Sequence, residues 1–235
     1  MDVAKLLCDP DSPHPTKNRV DLDGNYIPWQ GITSIMLLNE KSRELAETIH
    51  ARLENSEIIK KYVALLPVSS YHVTLRGIRE RFRCQNGKEY NEYILAKRKQ
   101  LEELSKNLEE SKIDVVGFDF DIKTIENAPY AGLSMHFESA KDKKEEKDEE
   151  EKGKDDEECL RKLEDMAVDC LGLPLKRQGW HMSLGYFYKN IGKKDKKLVK
   201  EAVKDALNIN DGSYTLYFSK PAIYHFKDLS HFEPL

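Results

Sequence analysis

Apolar positions along the chain recur with two periods that alternate from segment to segment. Residues 32–38 form a short apolar run, and Leu45, Ile49 and Leu53 then return at helical spacing behind a candidate Asn39 cap. A strand followed by a helix is predicted there. Residues 71–78 alternate like a strand, and Tyr90, Ile94, Leu101, Leu104 and Leu108 mark one long amphipathic helix before a strand-like stretch at 113–124. A further strand is expected at 133–137, across a turn at Asn127-Ala128-Pro129. Leu160, Leu163, Ala167 and Cys170 predict a helix, 180–188 a strand, 198–207 a helix, and 214–224 a last strand or half of a hairpin. Six or seven strands with four helices make the expected fold class α+β.

Two segments fall outside this pattern. Residues 1–30 carry Pro10, Pro13, Pro15 and Pro28 among scattered polar residues and read as an irregular N-terminal arm. Within it, Asp21-Leu22-Asp23-Gly24 resembles the start of a calcium loop but lacks the later ligands, so an ordinary turn is expected. Residues 141–158 hold six Lys against eleven Asp and Glu, too polar to bury a core, and read as a disordered or frayed charged insert. The alternative is a solvated extension of the following helix. The rest, 31–235, is expected to be a single two-lobed domain.

Charge and cysteine usage narrow the function classes. The net charge of −4 is carried by the 141–158 tract, so the remaining chain is nearly neutral. Broad gripping of duplex DNA needs many Lys and Arg contacts to phosphate and is disfavoured, whereas small nucleotides and strand ends stay open as partners. The four cysteines, Cys8, Cys84, Cys159 and Cys170, form no Cys-x-x-Cys pair and are expected as free thiols. With neither a long apolar stretch nor a signal-like leader, a monomer located in the cytoplasm or nucleus is expected, without membrane contact.

The candidate chemistry lies in two short strands. Residues two apart on a strand share a face, so His72 is a neighbour of Thr74, and His181 of Ser183. Their alternates, Val73 with Leu75 and Met182 with Leu184, are apolar and suit the core side. Seven histidines should yield His-x-Ser/Thr about 0.6 times by chance, and roughly 0.1 times once apolar alternates are required. His14-Pro15-Thr16 fails that requirement and the other two pass. Their surroundings echo each other as well. Tyr71 and Trp180 precede the histidines, Leu75 and Leu184 follow the hydroxyls, and Leu66-Pro67 and Leu173-Pro174 lie upstream.

On these two tetrads, with 66–74 and the earlier segment Gly24-Asn25-Tyr26-Ile27-Pro28-Trp29-Gln30-Gly31, the chain resembles the 2H phosphoesterase superfamily. The resemblance spans residues 24–224, and Ser183 stands where Thr is commoner. It implies two pseudo-symmetric lobes of antiparallel sheet with outer helices. It also implies a phosphodiesterase acting on 2′,3′-cyclic phosphates, 2′,5′ linkages or oligonucleotide ends.

The chemistry of such a pair stands on its own. Phosphodiester cleavage needs a base at the attacking oxygen and an acid at the leaving oxygen, and two imidazoles near neutrality can hold one of each form. Hydroxyls of Thr74 and Ser183 would bind the non-bridging oxygens, with neither metal nor cofactor required. Arg76 continues the face of His72 and Thr74 and is a candidate substrate contact; Tyr26, Trp29 and Tyr186 are candidates for base stacking. Tyr71 and Trp180 are expected as core anchors. His50, His136, His225 and His231 are expected to be structural, with His136 hydrogen-bonded in the core. The alternatives are a non-catalytic module holding a nucleotide in the same cleft, a metal enzyme using His72, His181 and a carboxylate, which the absence of an acidic residue at ligand spacing in either motif disfavours, and a scaffold acting through the charged tract.

Overall fold

The computed structural model describes residues 3–12, 15, 18–122, 133–137, 147–175, 177 and 179–235. The expected turn at 127–129, the rejected motif at His14 and the first part of the charged tract, 141–146, lie outside the described residues. The remainder of that tract is backbone of a helix that runs from Lys147 to Leu171, which corresponds to the helix-extension alternative.

Among the described residues there are nine strands and six α-helices, and every registered strand pair is antiparallel, so the fold is α+β. The strands are β1 (Gly31–Leu37), β2 (Val63–Leu65), β3 (His72–Glu80), β4 (Val115–Asp121) and β5 (Leu133–His136). They continue with β6 (His181–Phe187), β7 (Ser213–Ser219), β8 (Ala222–Asp228) and β9 (His231–Pro234). The helices are α1 (Arg43–Glu54), α2 (Glu57–Tyr62), α3 (Gly87–Ala96), α4 (Arg98–Glu109), α5 (Lys147–Leu171) and α6 (Lys193–Leu207).

Seven strands form one sheet, and β4 and β7 form a second. A strand has two edges, and β6 uses both: Gly185 pairs with Leu65 on one side and Leu133 on the other, and Met182 with Val73 and Met135. So β2 and β3 share one edge of β6, β5 takes the other, and the sheet continues from β3 through β1 and β8 to β9. One row of this sheet, Met135, Met182, Val73 and Met36, is fully buried across four strands. It belongs to one large core beneath the helices, to which α4 adds Leu101, Leu104 and Leu108, all fully buried. Each such leucine contributes about 1.5–3 kcal/mol by leaving water.

Several predicted elements divide. The expected long helix is two, separated by Lys97 at φ −98°, ψ 6°, and each keeps its own buried stripe. The run at 214–224 is two strands in different sheets: Pro221, which has no N–H to donate to a ladder, lies between β7 and β8. The short α2, β2 and β9 carry too few residues to show a period. The N-terminal arm is packed down, with Leu6 and Trp29 buried and the Cys8 backbone exchanging two 2.9 Å hydrogen bonds with the Asn91 side chain. The expected ordinary turn forms at Asp21, whose carboxylate accepts from the backbone N–H of Asp23 and Asn25, with Gly24 at φ 89°. A hydrogen bond from the Asn25 side-chain amide at 2.9 Å, together with these backbone ones, holds the Asp21 carboxyl below its usual range. Cys8, Cys84, Cys159 and Cys170 are all free thiols.

Candidate active site

The two tetrads meet on the sheet. Val73 faces Met182 across the antiparallel pair β3/β6, so one step either way brings His72 beside Ser183 and Thr74 beside His181 on the opposite face. Directly opposed side chains have Cβ atoms about 5 Å apart and diagonal ones about 7–8 Å, which sets the spacing of the two histidines. Each imidazole therefore neighbours the hydroxyl of the other motif.

The same local device orients both rings. His72 Nδ1 lies 2.7 Å from the Ser70 carbonyl, and His181 Nδ1 lies 3.2 Å from the Gly179 carbonyl, in each case two residues upstream. A carbonyl can only accept, so Nδ1–H donates and each Nε2 is left for the cleft. The two environments then diverge. Phe232 from β9 packs edge-on to His72 at 4.6 Å, and burial lowers the His72 pKa to about 4, with a smaller push from His181 and an opposing pull from the Ser70 carbonyl. His72 is therefore neutral at pH 7.

All six sequence-predicted site residues, His72, Thr74, Arg76, His181, Ser183 and Tyr186, line a single cavity of about 580 Å³. Arg76 sits on its wall but is already engaged. Its guanidinium donates to Glu164 Oε1 at 3.3 Å and to the Pro174 carbonyl, and Glu164, 2% exposed, also accepts from Arg161 at 3.0 Å. The Arg161 guanidinium in turn lies 4.1 Å over the Trp180 ring. Tyr71 and Trp180 are buried as expected of core anchors, although Trp180 also reaches the cavity wall.

Tyr186 reaches the cleft by an irregularity. Ser134 pairs with Ser183 and Leu133 with Gly185, so Leu184 is an extra residue in β6 and both Leu184 and Gly185 turn inward. A Cβ on Gly185 would stand 2.5 Å from the Ala64 carbonyl oxygen, which restricts the bulge to glycine. Tyr186 then rejoins the cavity face and meets Tyr26 edge-on at 6.4 Å. Trp29 packs instead against Phe82, in a small apolar cluster with Ile35, Phe226 and Phe232.

The strand expected at 133–137 forms as β5, but sequence reasoning missed that its residues reach the site. His136, expected in the core, pairs with His181 in register, and the two rings stack at 5.6 Å and 26°. Ser134 Oγ is 3.5 Å from Ser183 Oγ. Two rows thus cross the sheet on the cavity face, His136-His181-Thr74-Ile35 and Ser134-Ser183-His72-Leu37. The signal was present as the reversed alternation Ser134-Met135-His136, with Met135 fully buried. Burial and the neighbouring His181 lower the His136 pKa. Of the other histidines, His225 is buried 3.4 Å from Glu233, His231 is 3.8 Å from the same carboxylate, and His50 lies near Tyr71 on α1. No group of three or more candidate metal ligands occurs among the described residues, and no described helix is long and apolar enough to cross a membrane.

The crystal structure of ATU0111, a conserved protein of unknown function from Agrobacterium tumefaciens strain C58, superposes with a TM-score of 0.64. The superposition covers 100% of this chain and 97% of that one at 16% identity. That likeness is one of fold. In sequence, 64 residues are 38% identical to the uncharacterized protein 127L of Invertebrate iridescent virus 6, a match over 26% of this chain and 27% of that protein. The chain thus spans about a quarter of that relative's length. No protein-family model matches.

Proposed function

We propose that the protein is a metal-independent phosphodiesterase of the two-histidine kind, acting on a nucleotide or RNA-end phosphodiester such as a 2′,3′-cyclic phosphate or a 2′,5′ linkage. The observation that carries this reading is the crossed arrangement about Val73 and Met182, in which each histidine faces the cleft through Nε2 beside the other motif's hydroxyl. The echo of one tetrad in the other favours two pseudo-symmetric halves of the 2H phosphoesterase type.

Burial divides the roles. His72, neutral at pH 7 with Nε2 open, is the base that takes a proton from the attacking oxygen. His181, on the far side of the phosphate, is the acid that gives one to the leaving oxygen. As the new P–O bond forms and the old one breaks, charge on the non-bridging oxygens is met by the hydroxyls of Thr74 and Ser183. Arg76, paired with Glu164, contributes to the field of the wall, and its engagement disfavours a direct grip on substrate.

A panel of 2′,3′-cyclic, 2′,5′-linked and cyclic-dinucleotide substrates, assayed in EDTA with product isomers identified, tests the proposal. Turnover in EDTA that falls about 10²–10⁴-fold in both His72→Ala and His181→Ala is expected. Near wild-type turnover in either variant would refute the mechanism and favour a binding module.

A further inference from the structure

Four arginines line the cavity: Arg19, Arg76, Arg79 and Arg83. Three have carboxylate partners. Arg76 is bound to Glu164 at 3.3 Å, Arg79 to Glu89 at 2.6 Å, and Arg83 to Glu80. Arg19 differs, because no carboxylate partner is found for it among the described residues. Its guanidinium carbon sits 4.9 Å from the centroid of the Tyr186 ring and 5.3 Å from that of Trp29, so two aromatic faces hold it in place. A guanidinium fixed in this way keeps its charge and its N–H edge while losing little further freedom on meeting an anion.

Its position sets what that anion is. Tyr186 follows Ser183 on β6 past the bulge at Leu184, two ladder steps or about 7 Å along the strand, so Arg19 stands beside the reacting phosphate rather than on it. Resting on the reading of the site given above, we propose that Arg19, with Trp29 and Tyr186, forms a second anion subsite that takes a further phosphate of the substrate. The substrate is then a nucleotide bearing two phosphates, either a mononucleotide with an additional terminal phosphate or an oligonucleotide with an internucleotide one. Buried Val20 and Trp29 hold the arm that carries Arg19 against the domain.

Equilibrium binding separates this proposal from catalysis. Titration of the full chain with a nucleoside 2′-monophosphate and with the matching 2′,5′-bisphosphate should give tighter binding of the bisphosphate by about tenfold or more, the scale of one charge-assisted hydrogen-bond pair. In Arg19→Gln the ratio between the two ligands should fall to near one, and in Arg19→Lys to an intermediate value. Tyr186→Leu, which removes one holding ring, should also reduce it. A ratio near one in the wild type, or a large ratio that survives Arg19→Gln, would overturn the subsite. A dinucleotide ending in 2′,3′-cyclic phosphate, compared with the mononucleoside in kcat/KM, tells which phosphate source is read. A bisphosphate preference that depends on Arg19 in a protein whose His72→Ala variant turns over normally would sustain the subsite and reject the two-histidine mechanism.

Discussion

The low pKa of His72 is a testable consequence of where β9 lies. Phe232 covers one side of the ring at 4.6 Å, and Phe226 backs it at 5.4 Å. Burial is the main cause of a pKa near 4 instead of 6.5. Between those two values the unfolded chain binds a proton at this site and the folded chain does not, so stability rises with pH across that window. The contribution is complete above about pH 6.5 and is lost as the pH falls through about 4. At about 1.36 kcal/mol per pH unit its upper limit is about 3 kcal/mol, and contact of the ring with cleft water reduces it toward half of that. Phe232→Ala opens the ring to water and should raise the His72 pKa by about one unit, whereas Phe232→Leu keeps an apolar cover and should leave it close to wild type. The imidazole Cε1–H resonance followed against pH by NMR, assigned with His72→Gln, reads this directly. The acid limb of kcat/KM should move with it. Titration of wild-type His72 near 6.5, or an unmoved value in a folded Phe232→Ala protein, would refute the reasoning.

Other perturbations follow from the same geometry. Thr74→Val and Ser183→Ala should each lower kcat/KM by less than the histidine variants, down to about 10²-fold, because one neutral donor is lost in each; equal or larger losses in steady-state assays would count against the division of roles. Gly185→Ala forces a Cβ onto the Ala64 carbonyl and should cost about 1–3 kcal/mol in urea unfolding while displacing Tyr186. Glu164→Ala removes the buried carboxylate that Arg76 and Arg161 share, leaving Arg161 its longer contact with Glu157 at 3.8 Å, and should destabilise by about 3 kcal/mol; a neutral result would show that the pair is well solvated.

The features legible in the chain alone were local. Alternation placed His72 with Thr74 and His181 with Ser183 on one face, and the apolar Val73 and Met182 on the other, because a strand's period of two is a property of its own backbone. The amphipathic stripes of α1, α4 and α6 and the turn at Asp21 were legible for the same reason. Which strand lies beside which is set by contacts between residues far apart in the chain, and it emerges with the packed fold. Pairing of Val73 with Met182 turned two similar tetrads into one crossed site, and pairing of β5 with β6 brought His136 out of the expected core and against His181. The extra residue at Leu184 re-aimed Tyr186, a bulge that strict alternation cannot foresee. Arg76 and Arg19 exchanged importance in a similar way. Arg76 met a buried carboxylate on α5, more than eighty residues away, while the arm folded back to hold Arg19 between two rings. A side chain's direction can be read from its neighbours in sequence, but its partners belong to the packing of the whole chain.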